Sequence, residues 1–206
     1  MLVPLVALET IGTDCFYHSV SLNTGRFNAS AQALPPDVEV VKDEEHNVLL
    51  AHFNRLWSKA SGSLGASEPA AGVVSMALQR RGKVVTTTIP DELSMDALLR
   101  FAGMCCCKNW ISFDNDILSD HHKFLVELAC STTLVPAYNP EFLRRLVDLK
   151  KNDGKPTTLV FVVCGGFKID LATLSEYRKA IEGRSDEKTW TVYCDDGEEF
   201  TFAKQR

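Results

Sequence analysis

The sequence contains no apolar run approaching the roughly 18 residues that a membrane-spanning helix needs. Its first residues, Met1-Leu2-Val3-Pro4-Leu5, lack the positive charge that opens a secretory signal peptide. A net charge of −5 gives no basic surface for nucleic acid. No glycine run is longer than Gly165-Gly166, so a loop that could cradle a phosphate is not evident. These absences favour a cytoplasmic protein that binds neither membrane nor nucleic acid.

The composition is that of a folded chain. Its 206 residues are 45% hydrophobic, which is enough for one domain with a buried core, and no internal repeat is evident. Seven cysteines in a sequence without a secretory signal are expected to be thiols in a reducing compartment rather than disulfides. We therefore predict a single domain over residues 1–206.

Segments typical of strands and helices alternate along the chain, which indicates an α/β protein with a parallel sheet. Apolar or β-branched runs predict strands at Leu2–Leu8, Lys83–Ile89 and Thr157–Val163. Residues from about Asn23 to Asp43 predict a surface loop, and residues 189–203 predict a C-terminal hairpin. The predicted helices are Cys15–Leu22 after an Asp14 cap, Ser67–Leu78, one opened by Pro90, most of Asp120–Ala137, Pro140–Leu149, and one from the Asp170 cap to about Ile181.

Residues 103–120 do not fit this pattern, because they have no clean hydrophobic period. They include Cys105-Cys106-Cys107 and lie close to His121-His122. A zinc-dependent protein is one interpretation of this grouping. Adjacent thiols cannot all converge on one tetrahedral ion without a turn and a spacer, so the spacing argues against it.

Four short motifs carry the strongest functional signal. The last one ends the predicted strand at Val163, and open α/β folds bind ligands where such strands end. In chain order they are Ala7-Leu8-Glu9-Thr10-Ile11-Gly12, Ser63-Leu64-Gly65-Ala66, Leu125-Val126-Glu127-Leu128-Ala129-Cys130-Ser131 and Val162-Val163-Cys164-Gly165-Gly166. Together they resemble the C-terminal half of the pyridoxal-phosphate-dependent L-serine/L-threonine dehydratases, or ammonia-lyases.

The resemblance implies a fold and an interpretation of the unusual segment. It implies a partial three-layer parallel sheet with flanking helices, as in the large domain of fold-type II (tryptophan synthase β-like) enzymes. Family members run directly from an Arg-Phe-Ala helix end into Asp-His-Lys-Phe-Leu-Val-Glu. Here Arg100-Phe101-Ala102 and His122–Glu127 match these two pieces, with an insert between them. We therefore hypothesise that residues 103–120 are translated from a retained intron.

The resemblance also implies a site for a monovalent cation such as potassium. Its ligands would be the Glu9 side chain and the backbone carbonyls of Thr13, Leu64 and Ala66. Oxygen ligands of this kind suit a hard cation, whereas thiols do not. The alternative is that Glu9 is a carboxylate near a helix start, satisfied by backbone amides.

The fourth motif implies contacts with pyridoxal 5'-phosphate. Cys164 occupies the position of the neutral group that meets the pyridine nitrogen, and Gly165-Gly166 would give the ring clearance. A neutral partner leaves the ring a weaker electron sink, which suits β-elimination. The alternative is a buried structural cysteine.

Four other candidates are better explained by structural roles. Glu127 and Ser131 are one helical turn apart, on a helix that backs the cofactor pocket in the family, and are expected to pack. His18 is expected to be a packing or surface residue. Lys168 does not match the family's cofactor-binding lysine, which lies far upstream in a Ser-Phe-Lys-type segment, so a solvated lysine is expected.

The sequence lacks the other parts that the family's chemistry needs. These are the Ser-Phe-Lys-type segment, a Ser-x-Gly-Asn-type substrate loop and a tetraglycine phosphate loop. The resemblance therefore predicts part of an enzyme that converts L-serine to pyruvate, or L-threonine to 2-oxobutanoate, truncated and inactive alone. The alternative is a non-catalytic domain that associates with a full-length dehydratase or with itself, as a homodimer.

Overall fold

The computed structural model describes residues 3–25, 34–103, 125–147, 157–166 and 168–204. The chain divides into two compact units. The prediction of a single domain over residues 1–206 stays a prediction. Within the described ranges, no helix is long and apolar enough to cross a membrane. The first unit is Met1–Pro90 with Thr191–Thr201, and the second is Asp91–Trp190 with Phe202–Arg206.

Strands and helices alternate in the first unit and helices predominate in the second. In the first unit these are β1 (Leu5–Thr10), α1 (Cys15–Thr24), β2 (Val38–Asp43), β3 (Val48–Phe53), α2 (Ser61–Leu64), α3 (Ala71–Gln79) and β4 (Val84–Ile89). The second unit contains α4 (Asp91–Phe101), α5 (Leu128–Ser131), a 3₁₀ turn (Thr132–Leu134), α6 (Val135–Tyr138), α7 (Pro140–Leu146) and α8 (Leu171–Glu182). The chain ends in β5 (Thr189–Tyr193) and β6 (Glu199–Ala203), of which residues 191–201 belong to the first unit.

The strands predicted at Leu2–Leu8 and Lys83–Ile89 are present as β1 and β4, and they are neighbours in the sheet. Strand β1 runs parallel to β4, with Leu5 opposite Val84 and Thr10 opposite Ile89. Every residue of β4 is buried, as its continuous β-branched run predicts for a central strand. This pairing places the end of β1, with Glu9 and Thr10, at the carboxyl edge of two parallel strands.

The sheet is mixed, whereas the sequence predicts a parallel sheet. Its strand order is β1-β4-β5-β6, and β4 pairs with β5 in the antiparallel sense at Thr88 and Tyr193. The predicted C-terminal hairpin is confirmed, and Gly197 in its turn has a positive φ of 75°. The first strand of the hairpin, β5, lies beside β4, and the turn places β6 on the other side of β5.

The predicted loop over Asn23–Asp43 is wrong in its last third. Residues Val38–Asp43 form β2, which pairs antiparallel with β3 in a separate two-stranded sheet. Most of β2 is exposed and carries charged side chains, so its sequence lacks the apolar run of a buried strand. Residues 26–33 of the predicted loop lie outside the described part of the chain.

Helix α4 forms the centre of the second unit. Its residues from Leu93 to Leu99 are all buried, and it packs against α5, α6, the 3₁₀ turn and α8. The prediction of a helix after Pro90 is confirmed. The predicted Asp170 cap is confirmed as well, because its carboxylate accepts a hydrogen bond from the Thr173 N–H at 2.7 Å.

The predicted strand Thr157–Val163 is not a strand in the described structure. The segment is mostly exposed and has no sheet assignment, with Val160 81% and Val162 68% accessible. A β-branched run favours a strand, but a strand also requires a neighbour that supplies backbone hydrogen bonds. We refer to residues 157–164 as the exposed segment.

Other predictions lie partly or wholly outside the described residues. The helical stretch Asp120–Ala137 is described only from Leu125, where it consists of the short elements α5, the 3₁₀ turn and α6. All but the first residue of the 103–120 segment lies outside the described ranges, and so do Cys105, Cys106 and Cys107. The retained-intron and zinc hypotheses therefore stay hypotheses.

Candidate functional site

The Glu9 side chain reaches from the end of β1 to the start of α1. Its Oε1 accepts a hydrogen bond from the Phe16 N–H at 3.1 Å, and its Oε2 accepts one from the Tyr17 N–H at 2.6 Å. The first N–H groups of a helix have no partner within the helix, so an acceptor here satisfies them. These two bonds match the alternative to a cation site, in which backbone amides at a helix start satisfy the Glu9 carboxylate.

Asp14, the predicted cap of α1, makes a different contact. Its Oδ1 accepts a hydrogen bond from the Gly12 N–H at 3.0 Å, and its side chain makes no capping bond to the helix. Its Oδ2 lies 3.4 Å from the His18 Nε2. Asp14 is buried. Together with Glu9, it places two acidic side chains at the start of α1.

The environment of Glu9 disfavours its charged form. Burial is the main cause that raises the pKa of Glu9 to about 8, and the nearby Asp14 charge adds to it. The hydrogen bonds from Tyr17 and Phe16 oppose this rise only in part. A carboxyl with such a pKa keeps its proton at neutral pH unless a positive charge is placed beside it.

A tight turn at residues 10–13 joins Glu9 to α1 and contacts the segment that follows β3. The Thr10 Oγ1 lies 2.9 Å from the Thr13 Oγ1 and 2.7 Å from the Ser58 Oγ. The Trp57 N–H donates to the Gly12 carbonyl at 3.3 Å. Trp57 and Ser58, which make these contacts, precede the sequence motif Ser63-Leu64-Gly65-Ala66 and are not part of it.

The two predicted carbonyl ligands Leu64 and Ala66 follow this contact along the chain. Leu64 ends α2, and its carbonyl accepts a hydrogen bond from the Ala66 N–H at 2.9 Å. The structure therefore brings Trp57 and Ser58 against the turn that contains Thr13, a few residues before Leu64 and Ala66 along the chain. The four predicted cation ligands all belong to the first unit.

The predicted cofactor residues lie in the second unit, at the end of the exposed segment. The Cys164 side chain is exposed, and its Sγ lies 3.9 Å from the Sγ of the buried Cys130. Gly165 has a φ of +87°, and a Cβ there would lie 3.3 Å from the Glu127 Oε1. A Cβ at Gly166 would collide with the Leu125 carbonyl, so both glycines permit a close approach to the 125–130 stretch.

Glu127 precedes α5 with extended backbone, so it is not on the predicted helix, whereas Ser131 ends α5. The Glu127 Oε1 accepts a hydrogen bond from the Lys168 N–H at 3.2 Å, which fixes the backbone after the two glycines. Ser131 is fully buried, and its Oγ lies 2.7 Å from the Leu128 carbonyl and 2.9 Å from the Ser94 carbonyl. His18 also packs, with its ring centroid 5.9 Å from that of Phe53.

Among the described residues, no group of three or more histidine, cysteine or acidic side chains could hold a metal ion. That finding concerns side-chain clusters, and the proposed cation ligands are mostly backbone carbonyls. It does not reach the three cysteines at 105–107, which lie outside the described ranges.

Comparison with known proteins finds matches among solved structures. No protein-family model matches the sequence, and no curated protein gives a significant match. A solved structure does match, that of a fungal L-serine ammonia-lyase from Rhizomucor miehei. The identity is 25% over 86% of this chain, with a TM-score of 0.55. The chain resembles a serine ammonia-lyase.

The extent of this match bears on every functional conclusion. The chain covers 41% of the length of the Rhizomucor miehei enzyme. The predicted resemblance to the serine ammonia-lyase family is confirmed, together with a mixed α/β fold.

Proposed function

We propose that this chain is the C-terminal part of a pyridoxal-phosphate-dependent L-serine ammonia-lyase, derived from the large domain of a three-layer parallel-sheet fold. The parent reaction converts L-serine to pyruvate and ammonia, with L-threonine to 2-oxobutanoate as the related reaction. The observation that carries the proposal is the structural match over 86% of the chain to an L-serine ammonia-lyase. The four family motifs occur in the same chain, in family order. We further propose a cytoplasmic location.

The residues present fit only one end of pyridoxal 5'-phosphate. Cys164 offers an exposed neutral thiol, and Gly165-Gly166 carry no side chain beside it, as the ring-nitrogen end requires. The sequence offers no tetraglycine loop for the phosphate and no Ser-Phe-Lys-type lysine to bond to the cofactor. We therefore derive no catalytic step for this chain, and we propose that it is inactive alone.

We propose that Glu9, Thr13, Leu64 and Ala66 contribute to a monovalent cation site, with potassium as the first candidate. The support is the family resemblance, which matches these positions to the family's cation ligands; the partly buried Glu9 carboxyl, with its pKa raised to about 8, would ionise beside a cation. Each carboxylate oxygen has two lone pairs, so the bonds from Phe16 and Tyr17 leave acceptor capacity for an ion.

The lyase proposal is tested by the transcript and by an assay. An upstream in-frame exon that encodes a Ser-Phe-Lys-type segment and a tetraglycine loop would support it. A mature message that starts at Met1 would contradict a catalytic role. In the assay, the purified chain is mixed with pyridoxal 5'-phosphate and L-serine, and pyruvate is measured. We expect no more pyruvate than the free cofactor produces, and an enzymic rate would show that the chain is active alone.

The second candidate function is a non-catalytic domain that associates with a full-length dehydratase or with itself. The observation that favours it is the exposed segment, where Val160 and Val162 are 81% and 68% accessible. Exposed apolar strand-like segments are sites of pairing with another chain. If the segment mediates association, Val160→Thr with Val162→Thr reduces the oligomer seen by light scattering. The matched control, Val73→Thr, alters an exposed valine on α3 and should leave the oligomer unchanged.

A further inference from the structure

Two thiols lie close together in the second unit, one of them buried and the other exposed. The Cys130 Sγ and the Cys164 Sγ are 3.9 Å apart, and neither belongs to a disulfide. Cys130 is buried on the short helix α5, whereas Cys164 is exposed at the end of the exposed segment. They are separated by 34 positions in the sequence, so only the fold brings them together.

Cys164 lies outside the strands and helices of the described structure. A disulfide requires about 2.05 Å between its sulfurs, so the two atoms must approach by about 1.9 Å. Cys130 is fixed by its helix, but Cys164 belongs to no strand or helix in the described structure. A hydrogen bond of 3.0 Å from the Thr133 Oγ1 to the Val162 carbonyl keeps the segment beside α5. Gly165 follows directly, and it tolerates backbone rotation.

We propose that Cys130 and Cys164 are a reversible dithiol–disulfide pair, oxidised by low-molecular-weight disulfides such as glutathione disulfide. The Cys164 thiolate attacks one sulfur of the glutathione disulfide and expels a glutathione thiolate, which leaves a mixed disulfide on Cys164. The Cys130 thiolate then attacks the Cys164 Sγ and expels the second glutathione. The two thiols lose two electrons and two protons, and the glutathione disulfide is reduced to two glutathione molecules.

The order of attack follows from exposure. Cys164 is open to solvent and can meet a reagent of the size of glutathione, whereas Cys130 is buried beneath it. Burial also raises the pKa of the Cys130 thiol, which lowers its thiolate fraction and slows its reaction with external reagents, so its attack is directed to the neighbouring mixed disulfide. The exposed cysteine is therefore the attacking residue, and the buried one is the resolving residue.

Peptide mapping of the unmodified protein tests the pairing. After equilibration with glutathione disulfide and blocking of free thiols, trypsin separates Cys130 into peptide 124–144 and Cys164 into peptide 152–168. Cys105, Cys106 and Cys107 fall in peptide 101–108. We expect a linked species of the first two peptides that is lighter by two hydrogens than their sum and disappears on reduction. Linkage of either cysteine to peptide 101–108 instead, or no linkage, would overturn the proposal.

Two single variants separate the steps. Cys130→Ser should stop the reaction at the mixed disulfide, so peptide 152–168 gains one glutathionyl group. Cys164→Ser should abolish the linked species, whereas the control Cys194→Ser, at a buried cysteine of the first unit, should retain it. In a glutathione redox buffer, a tenfold change in the ratio of squared glutathione to glutathione disulfide should change the oxidised-to-reduced ratio by about tenfold. These readouts need no lyase activity, so they are independent of the proposed function.

Discussion

The indole of Trp57 occupies the space that a side chain at Gly12 would fill. A Cβ at position 12 would lie 2.5 Å from the indole Nε1, and the backbone there has a φ of +95°. Both the ring and the backbone conformation therefore require glycine in this turn. The contact connects the turn after β1 to the segment after β3 within the first unit.

The substitution Gly12→Ala is expected to destabilise the protein. The positive φ costs roughly 1–2 kcal/mol for a residue with a Cβ, and displacement of Trp57 adds a packing cost of about 1–3 kcal/mol. Urea unfolding measures the change. Gly25→Ala is the matched control, since Gly25 has a φ of +58° but nothing within 4 Å of its Cβ position. Equal losses for the two variants would refute the role of Trp57.

Glu9 should make stability depend on pH. Its pKa is about 8 in the folded protein and 4.5 in the reference state, so the folded state holds the extra proton between these values. The unfolding free energy therefore falls as pH rises from about 4.5 to 8, by up to about 1.4 kcal/mol per pH unit. Glu9→Gln should remove most of this slope, whereas Glu44→Gln, at an exposed side chain, should retain it. Unfolding curves across this range measure it, and an unchanged slope in Glu9→Gln would disprove the burial argument.

Potassium should stabilise the first unit if Glu9 and the three carbonyls bind it. Binding to the folded state alone adds about 2.7 kcal/mol at an ion concentration of 100 times Kd. Thermal unfolding and intrinsic tryptophan fluorescence, to which Trp57 contributes, are compared in potassium chloride and in tetramethylammonium chloride of equal ionic strength. The wild type should differ between the salts and Glu9→Gln should not. An identical response of the two proteins, or of the two salts, would argue against the cation site.

In the second unit, substitution of core residues in α4 should reduce the free energy of unfolding most. Leu98 is fully buried in this helix, so Leu98→Ala is expected to cost about 2–5 kcal/mol through lost contacts and the cavity that remains. Met76→Ala removes a side chain that is 65% exposed on α3 and should cost less than about 0.5 kcal/mol. Urea unfolding compares the two, and losses of similar size would mean that α4 is not the core helix.

The sequence predicts best those elements whose stability is local. Strand β4 and helix α4 were predicted correctly because their apolar residues form continuous or helical patterns. The missed strand β2 has most of its residues exposed, so no apolar pattern identifies it. Its formation depends on the neighbouring β3, which a local pattern cannot show.

The site was harder to predict because its contacts join distant positions. Asp14 has the expected sequence position for a cap of α1, yet the helix amides bond to Glu9, at the end of the preceding strand. The pair Thr10 and Ser58 is 48 positions apart, and no local signal connects these two residues. The likeness to serine ammonia-lyases was recognisable because it rests on short motifs, whereas the environment of each motif depends on the fold.

The exposed segment also bears on how long the chain survives in a cell. Extended, solvent-accessible backbone fits the binding clefts of proteases and chaperones, which act on unfolded or partly open chains. In the exposed segment, Val160 and Val162 are largely solvent-accessible, on either side of the aromatic residue Phe161. A partner that covers this segment would therefore raise the abundance of the protein by protecting it from degradation, in addition to any effect on its activity.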